Sequence, residues 1–417
     1  VSGKTRLTSC IAPVLAQIPK GALGVAVSGG GDSVALLHLL CDWGHKNGRK
    51  IYTATVNHNL RKEAQAEAEF VADLCKNLNV NHSILSWEDW DGKGNLQNAA
   101  RNARHSLLQG WAGNLGLVAV AVGHTEDDQA ETFLMRLARG SGVDGLSGMQ
   151  AVSGDNPVWL RPMLDISRQD LREYLISIGQ EWIEDPSNKS EKFDRVKMRN
   201  AMPALAELGL TMRRLAKTAK GLQPARTALE QMTLTVARLC CTPDKFGTVV
   251  LDLEALQVQP MDIQYRVLSH AMGWVTGAVY RPRFSALKAV YELLRQGKSQ
   301  TLAGCYIKAV SQKQVIVMRE LANMALTTVA TGSFDHRWQV IADGDLKNVV
   351  IGPLGENGLK QLKNWRNLGV KRDILMQTPA AWQDMAVISA PLVGFGGPVS
   401  FDLQLDTEQF FLGIVSH

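Results

Sequence analysis

Apolar residues in the first half of the chain follow two patterns in alternation. Short β-rich runs, Gly24-Val25-Ala26-Val27, Ile51-Tyr52-Thr53-Ala54-Thr55-Val56 and Leu117-Val118-Ala119-Val120-Ala121-Val122, read as strands. The last is apolar throughout, as expected of a strand covered on both faces. Ser83-Ile84-Leu85-Ser86 predicts a further strand. Between these runs the apolar spacing becomes helical: from Val34 to Leu40, from Glu63 to Leu78, from about Leu96 to Trp111, and from about Asp127 to Arg139. Strands alternating with helices predict an α/β fold with a parallel, doubly wound sheet. Such sheets bind ligands beyond the carboxyl ends of their strands.

Near residue 200 the pattern changes. Asp185-Pro186-Ser187-Asn188 is a turn cluster, and the pattern beyond it is mainly helical to about Leu239. A third region opens with Phe334-Asp335-His336-Arg337-Trp338, passes through Ile351-Gly352-Pro353-Leu354-Gly355, and ends in short strands around Val387 and Phe401. The expected division is 1–205 for the sheet domain, 206–325 for a helical domain and 326–417 for a small α+β domain.

A length of 417 residues agrees with two or three domains, and 45% hydrophobic with 20% charged residues is ordinary for a globular protein with a sizeable core. No run reaches the ~18 uninterrupted apolar residues of a membrane span. Six cysteines (Cys10, Cys41, Cys75, Cys240, Cys241, Cys305) are scattered, with neither C-x-x-C nor zinc spacing. They read as buried free thiols, so a cytoplasmic location is expected. The net charge of +5 is a mild bias toward polyanions.

The chemistry concentrates in the three loops that leave the strands. Ser28-Gly29-Gly30-Gly31-Asp32-Ser33 joins the first strand to its helix. Glycines let the backbone approach a ligand, and the first helical turn presents free N–H groups to an anion such as phosphate. A Walker A loop would end in Gly-Lys-Ser/Thr and a dinucleotide loop would read G-x-G-x-x-G; neither is present. A carboxylate beside phosphate is repulsive unless a cation intervenes, so Asp32 suggests Mg²⁺. Its plainer alternative is a helix N-cap.

The second loop and its helix, Gly123-His124-Thr125-Glu126-Asp127-Asp128-Gln129-Ala130-Glu131-Thr132, gather acids at the same sheet edge. Asp128 and Glu131 are three apart and share a helix face. Thr125 with Asp128 resembles a capping box, which accounts for one or two of the acids. The remaining negative charge suits a metal or a substrate ammonium. The third loop is Asn57-His58-Asn59-Leu60-Arg61. Arg101 and Arg104 lie one turn apart on the next helix, and the pattern leaves open which faces the cleft. Beyond Asn188 come Lys189, Lys192, Arg195, Lys197 and Arg199, then Arg213, Arg214, Lys217 and Lys220, interrupted by few acids. Joined to a nucleotide site, this bias points to RNA.

Together these segments resemble the tRNA(Ile)-lysidine synthetases of the PP-loop ATP pyrophosphatase superfamily. The marks are Ser28 to Ser33, His58-x-Leu60-Arg61-x-Glu63-Ala64, and Gly123-His124-x-x-Asp127-Asp128-Gln129-Ala130-Glu131-Thr132. The last continues into Arg136-Leu137-x-Arg139-Gly140-Ser141-Gly142 and Gly145-Leu146-x-Gly148-Met149, and Arg161-Pro162, Asp185-x-Ser187-Asn188, Phe193-x-Arg195 and Arg199 complete the set. Lys197 stands where the family often has arginine, and Gly352-Pro353-Leu354-Gly355 resembles the family's C-terminal region.

The resemblance implies ATP as co-substrate with Mg²⁺, and L-lysine and the CAU-anticodon isoleucine tRNA as partners. It implies a carbon–nitrogen ligase that adenylates the wobble cytidine and joins lysine to its C2. Carried over by position, Ser28, Gly29, Gly30, Gly31, Asp32 and Ser33 are expected on ATP, with Asp32 on Mg²⁺. Asp128 and Glu131 are expected on lysine, and Arg104, His124, Arg195 and Arg199 on ATP phosphates or developing charge. The two later domains would grip tRNA. Oligomeric state is open, a homodimer being one arrangement. The alternatives are a PP-loop tRNA thiolation enzyme and a non-catalytic RNA-binding protein.

Overall fold

Strand β1 (Leu23–Ala26) is buried along its whole length and lies at the centre of a six-stranded sheet. We describe the fold from a computed structural model covering residues 3–59, 64–88, 90, 96–154, 156–184, 194–278, 282–328, 332–344, 346, 348–404 and 406–415. Leu60, Arg61, Glu63 and the stretch from Asp185 to Phe193, with Lys189 and Lys192, lie outside the described residues.

The chain divides into two compact units, one running to Arg226 and the other covering Thr227–Val415. The first unit opens with α1 (Gly3–Leu15), β1, α2 (Gly31–Asn47), β2 (Ile51–Asn57), α3 (Ala64–Asn77) and β3 (Asn81–Ser86). It continues through α4 (Leu96–Asn114), β4 (Ala119–Val122), α5 (Glu126–Ala138), α6 (Val143–Leu146), β5 (Val152–Ser153) and β6 (Val158–Leu160). Helices α7 (Arg168–Ser177), α8 (Asp194–Glu207) and α9 (Met212–Cys240) follow, and the boundary between the units falls inside α9.

The sheet order is β3-β2-β1-β4-β6-β5, parallel except for β5. Alternation along the central strands explains its two covered faces. Leu23 and Val25 of β1 and Ala119 and Ala121 of β4 pack with residues of α1, α2, α3 and α7. Ala26, Val120 and Val122 point the other way, onto Leu108, Trp111 and Ala112 of α4. Side chains on successive strand residues face opposite sides, so one apolar run serves both layers. The strand order reverses between β1 and β4, and open α/β sheets bind ligands beside the two loops that leave such neighbours. The glycine loop and the acidic loop are these two loops.

The second unit adds strands to the helices expected there. β7 (Cys241–Pro243), β8 (Val249–Asp252), β9 (Gln300–Leu302), β10 (Cys305–Ala309) and β11 (Gln314–Arg319) form an antiparallel sheet ordered β7-β8-β11-β10-β9. Its core includes residues of the C-terminal half of α9 and the helices spanning Met261–Thr276 and Phe284–Arg295. Phe410 and Ile414 from the C-terminus enter the same core. Two smaller sheets, built from residues 327–403, complete the unit. Arg337, almost fully buried, pairs with Asp335 and donates to the Gly247 carbonyl at 2.9 Å, which ties the C-terminal segment to the five-stranded sheet. Among the described residues no helix is long and apolar enough to cross a membrane.

Candidate active site

The glycine loop is closed by its serines. Ser33 Oγ accepts from the Ser28 backbone N–H at 3.1 Å, lies 3.2 Å from Ser28 Oγ and donates to the Gly30 carbonyl at 2.9 Å. Gly29 has φ +85°, and a Cβ there would stand 2.7 Å from Ile183 Cδ1. The Ile183 N–H donates to the Gly29 carbonyl at 2.9 Å, so the segment after α7 runs alongside the loop. Helix α2 is capped by Gly30 and has no side-chain cap, which leaves its first-turn N–H groups available to an anion. Asp32 therefore does not cap the helix.

Asp32 instead belongs to an acid cluster assembled around Arg168, the first residue of α7. Arg168 Nε donates to Asp32 Oδ2 at 3.0 Å, one Nη to Asp128 Oδ1 at 3.4 Å, and the other Nη lies 3.7 Å from Glu131 Oε1. The Arg168 backbone N–H donates to Asp127 Oδ2 at 2.8 Å, fixing the start of α7 against the acidic loop. Glu131 is fully buried and also accepts from Arg199 at 2.8 and 3.0 Å, while its Oε2 has no partner. Burial raises the Glu131 carboxyl, with Arg199 and Arg168 pulling the other way. Burial likewise raises Asp32 against the pull of Arg168.

Asp128 has two functions on two oxygens. Oδ2 completes a capping box, accepting from the Thr125 N–H at 2.9 Å and Thr125 Oγ1 at 3.0 Å, while Oδ1 faces Arg168. Burial opposes its ionisation, but Arg168, His124 and the Thr125 N–H outweigh it and hold the carboxyl below its usual range. His124 is itself pulled down to about 4, chiefly by burial, with Asp128 opposing and Arg161, Arg104 and Arg195 assisting. At neutral pH it is an uncharged imidazole, so Arg168 and Thr125 carry the stabilisation of Asp128. His124 Nδ1 is buried without a partner. The charge of Arg104 bears on both His124 and His58. Arg101 acts on Arg104, His105 and Arg161.

Residues 4–205 match a family described as a PP-loop domain. A tRNA(Ile)-lysidine synthase from Ruegeria pomeroyi is 39% identical over 405 residues, covering 96% of this chain and 95% of that protein. One from Wolbachia pipientis wMel is 34% identical, covering 90% and 89%, and one from Wolbachia sp. subsp. Brugia malayi is 35% identical, covering 80% of each. The chain belongs to the tRNA(Ile)-lysidine synthase family. It is an ATP-dependent ligase of tRNA modification.

Several marks of the tRNA(Ile)-lysidine synthase resemblance turn out to build the scaffold. Gln129 donates to the Met149 carbonyl and accepts from the Met149 N–H, both at 2.7 Å. Arg136 donates to the carbonyls of Gly145 and Gly148 at 2.8 and 3.1 Å. These two side chains clamp residues 145–149 against α5, the helix that carries Asp128 and Glu131. Arg199, expected on ATP, is turned to Glu131, and Lys220 of the basic stretch pairs with Asp165 at 2.6 Å. Arg195 acts on His124 and Asp128 through its charge. Arg168 and Ile183 were not foreseen. Their available signal was weak: Ser167-Arg168-Gln169-Asp170 reads as a helix start, and nothing local ties it to a carboxylate more than a hundred residues away.

Proposed function

We propose that this enzyme joins L-lysine to C2 of the wobble cytidine of the CAU-anticodon isoleucine tRNA. The observation that carries the reading is Glu131. A fully buried carboxylate with one oxygen unpartnered, one helical turn from Asp128 and at the edge of the glycine loop's crevice, fits a substrate ammonium.

In the first step the cytidine C2 oxygen attacks the α-phosphorus of ATP and pyrophosphate leaves. The free N–H groups at the start of α2 and the hydroxyls of Ser28 and Ser33 receive the phosphates. Mg²⁺ commonly binds through one or two carboxylates and substrate phosphates, with water, so a single protein carboxylate suits it. Asp32 fits that role, and among the described residues no group of three or more His, Cys, Asp or Glu could hold a metal alone. Bound there, the ion would neutralise phosphate charge. In the second step the lysine side-chain amine attacks C2, and AMP departs carrying the former exocyclic C2 oxygen. Asp128 and Glu131 orient the amine, and Glu131, raised by burial, is the group we assign to take its proton. Arg104, Arg195 and neutral His124 are assigned to phosphate or developing charge, in line with the mutual influence of their charges. The segments 206–325 and 326–417 are assigned to grip tRNA, in line with the chain's positive charge.

The cysteines weigh against thiolation. Burial pushes Cys41 and Cys305 to about 12 and raises Cys75, which disfavours the thiolate that sulfur transfer needs. The test incubates the enzyme with ATP, Mg²⁺, labelled lysine and the CAU isoleucine tRNA transcript. Labelled transcript with AMP release is expected. No incorporation, or equal labelling of elongator methionine tRNA, overturns the reading.

A further inference from the structure

Four carboxylates, from Asp32, Asp127, Asp128 and Glu131, meet two guanidinium-bearing residues, Arg168 and Arg199. The carboxylates outnumber the guanidinium groups in contact with them, and Arg195 adds its charge toward Asp128. Among the described residues, the guanidinium of Arg168 is moreover the single group that touches both halves of the cluster: Asp32 beside the glycine loop, and Asp128 with Glu131 on α5. Its contacts are graded, with a short hydrogen bond to Asp32 and longer approaches to the other two. Its backbone is held independently by Asp127, and its side chain is only 20% exposed. A planar guanidinium can reach in several fixed directions at once, which a lysine ammonium on a flexible stem cannot do.

We propose that Arg168 is a positioning residue of the ligase reaction, holding Asp32 on one side and Asp128 with Glu131 on the other in one array. The carboxylate serving the nucleotide and those serving the amine are thereby set as a unit, and both chemical steps depend on Arg168. This rests on the lysine-ligating function proposed above.

The test uses the full chain with Arg168→Gln and Arg168→Lys. Two readouts separate the steps: tRNA-dependent exchange of labelled pyrophosphate into ATP without lysine, and the KM for lysine in the complete reaction. Arg168→Gln is expected to slow exchange and raise the lysine KM, each on the order of 10- to 100-fold, the range for losing a charge-assisted contact. Arg168→Lys keeps a cation near Asp32 and is expected to recover much of the exchange while the lysine KM stays high. A merely structural role would lower the active fraction and kcat in both assays and leave KM unmoved. The proposal is overturned if Arg168→Gln alters one step alone or neither, or if Arg168→Lys restores both. Should Arg168→Gln not fold, as read by its circular dichroism, the split in Arg168→Lys decides alone. A wild-type enzyme that fails to label the tRNA overturns the function itself; an active wild type with unaffected variants overturns only the role of Arg168.

Discussion

A Cβ on Gly123 would stand 3.1 Å from both the backbone nitrogen and the Cα of Ser33. The chain leaving β4 thus passes directly over the first turn of α2, and the obstacle is backbone, which cannot rotate aside. Gly123→Ala must push the two loops apart by a few tenths of an ångström. We expect ATP binding to weaken about tenfold, with displaced first-turn N–H groups as the cause. Calorimetric titration with ATP checks this, and unchanged affinity in a folded variant would refute the close approach.

Neighbouring glycines in the loop should respond unequally. Gly29 combines φ +85° with a prospective Cβ 2.7 Å from Ile183 Cδ1, whereas a Cβ on Gly30 meets nothing nearer than Ser28 Oγ at 3.8 Å. Gly29→Ala is expected to cost about 1–2 kcal/mol from the left-handed backbone alone, and Gly30→Ala within about 0.5 kcal/mol. Urea unfolding of the two variants measures the difference. Equal losses would contradict the loop conformation.

Buried and exposed ion pairs give a second contrast. Removing Arg199 leaves Glu131 fully buried with Arg168 at 3.7 Å as its remaining cation. Arg199→Ala should therefore destabilise by about 2–3 kcal/mol. Lys220→Ala breaks a shorter contact, 2.6 Å to Asp165, but both partners are more than half exposed, and about 0.5 kcal/mol or less is expected. Thermal unfolding that ranks the pair the other way would show that distance outweighs burial here.

His124 should titrate near 4, well below the ordinary histidine value of 6.5. The folded state then binds its proton less readily than the unfolded chain. Its contribution to stability is complete above about pH 6.5 and is lost as pH falls from there toward 4. NMR of histidine-labelled protein, with His124→Asn to assign the signal, reads the midpoint. A midpoint near the ordinary value of 6.5 would contradict the burial that holds this imidazole neutral.

Local sequence determined the parts whose causes are local. The central strands of the first sheet are continuous apolar runs because both faces are covered, and the helix after the glycine loop follows from spacing alone. The acids of α5 were legible as a cluster because one helix carries them. Tertiary structure decided what those residues do. It turned Arg199 onto Glu131, and left Asp32 off the helix cap and on Arg168. It also placed antiparallel strands after Leu239, within the 206–325 segment expected to be a helical domain. The physical reason is range: periodicity and capping act within a few residues, whereas the Arg168–Asp32 contact spans 136 positions. That contact exists only because the sheet brings the start of α7 to the crevice between β1 and β4.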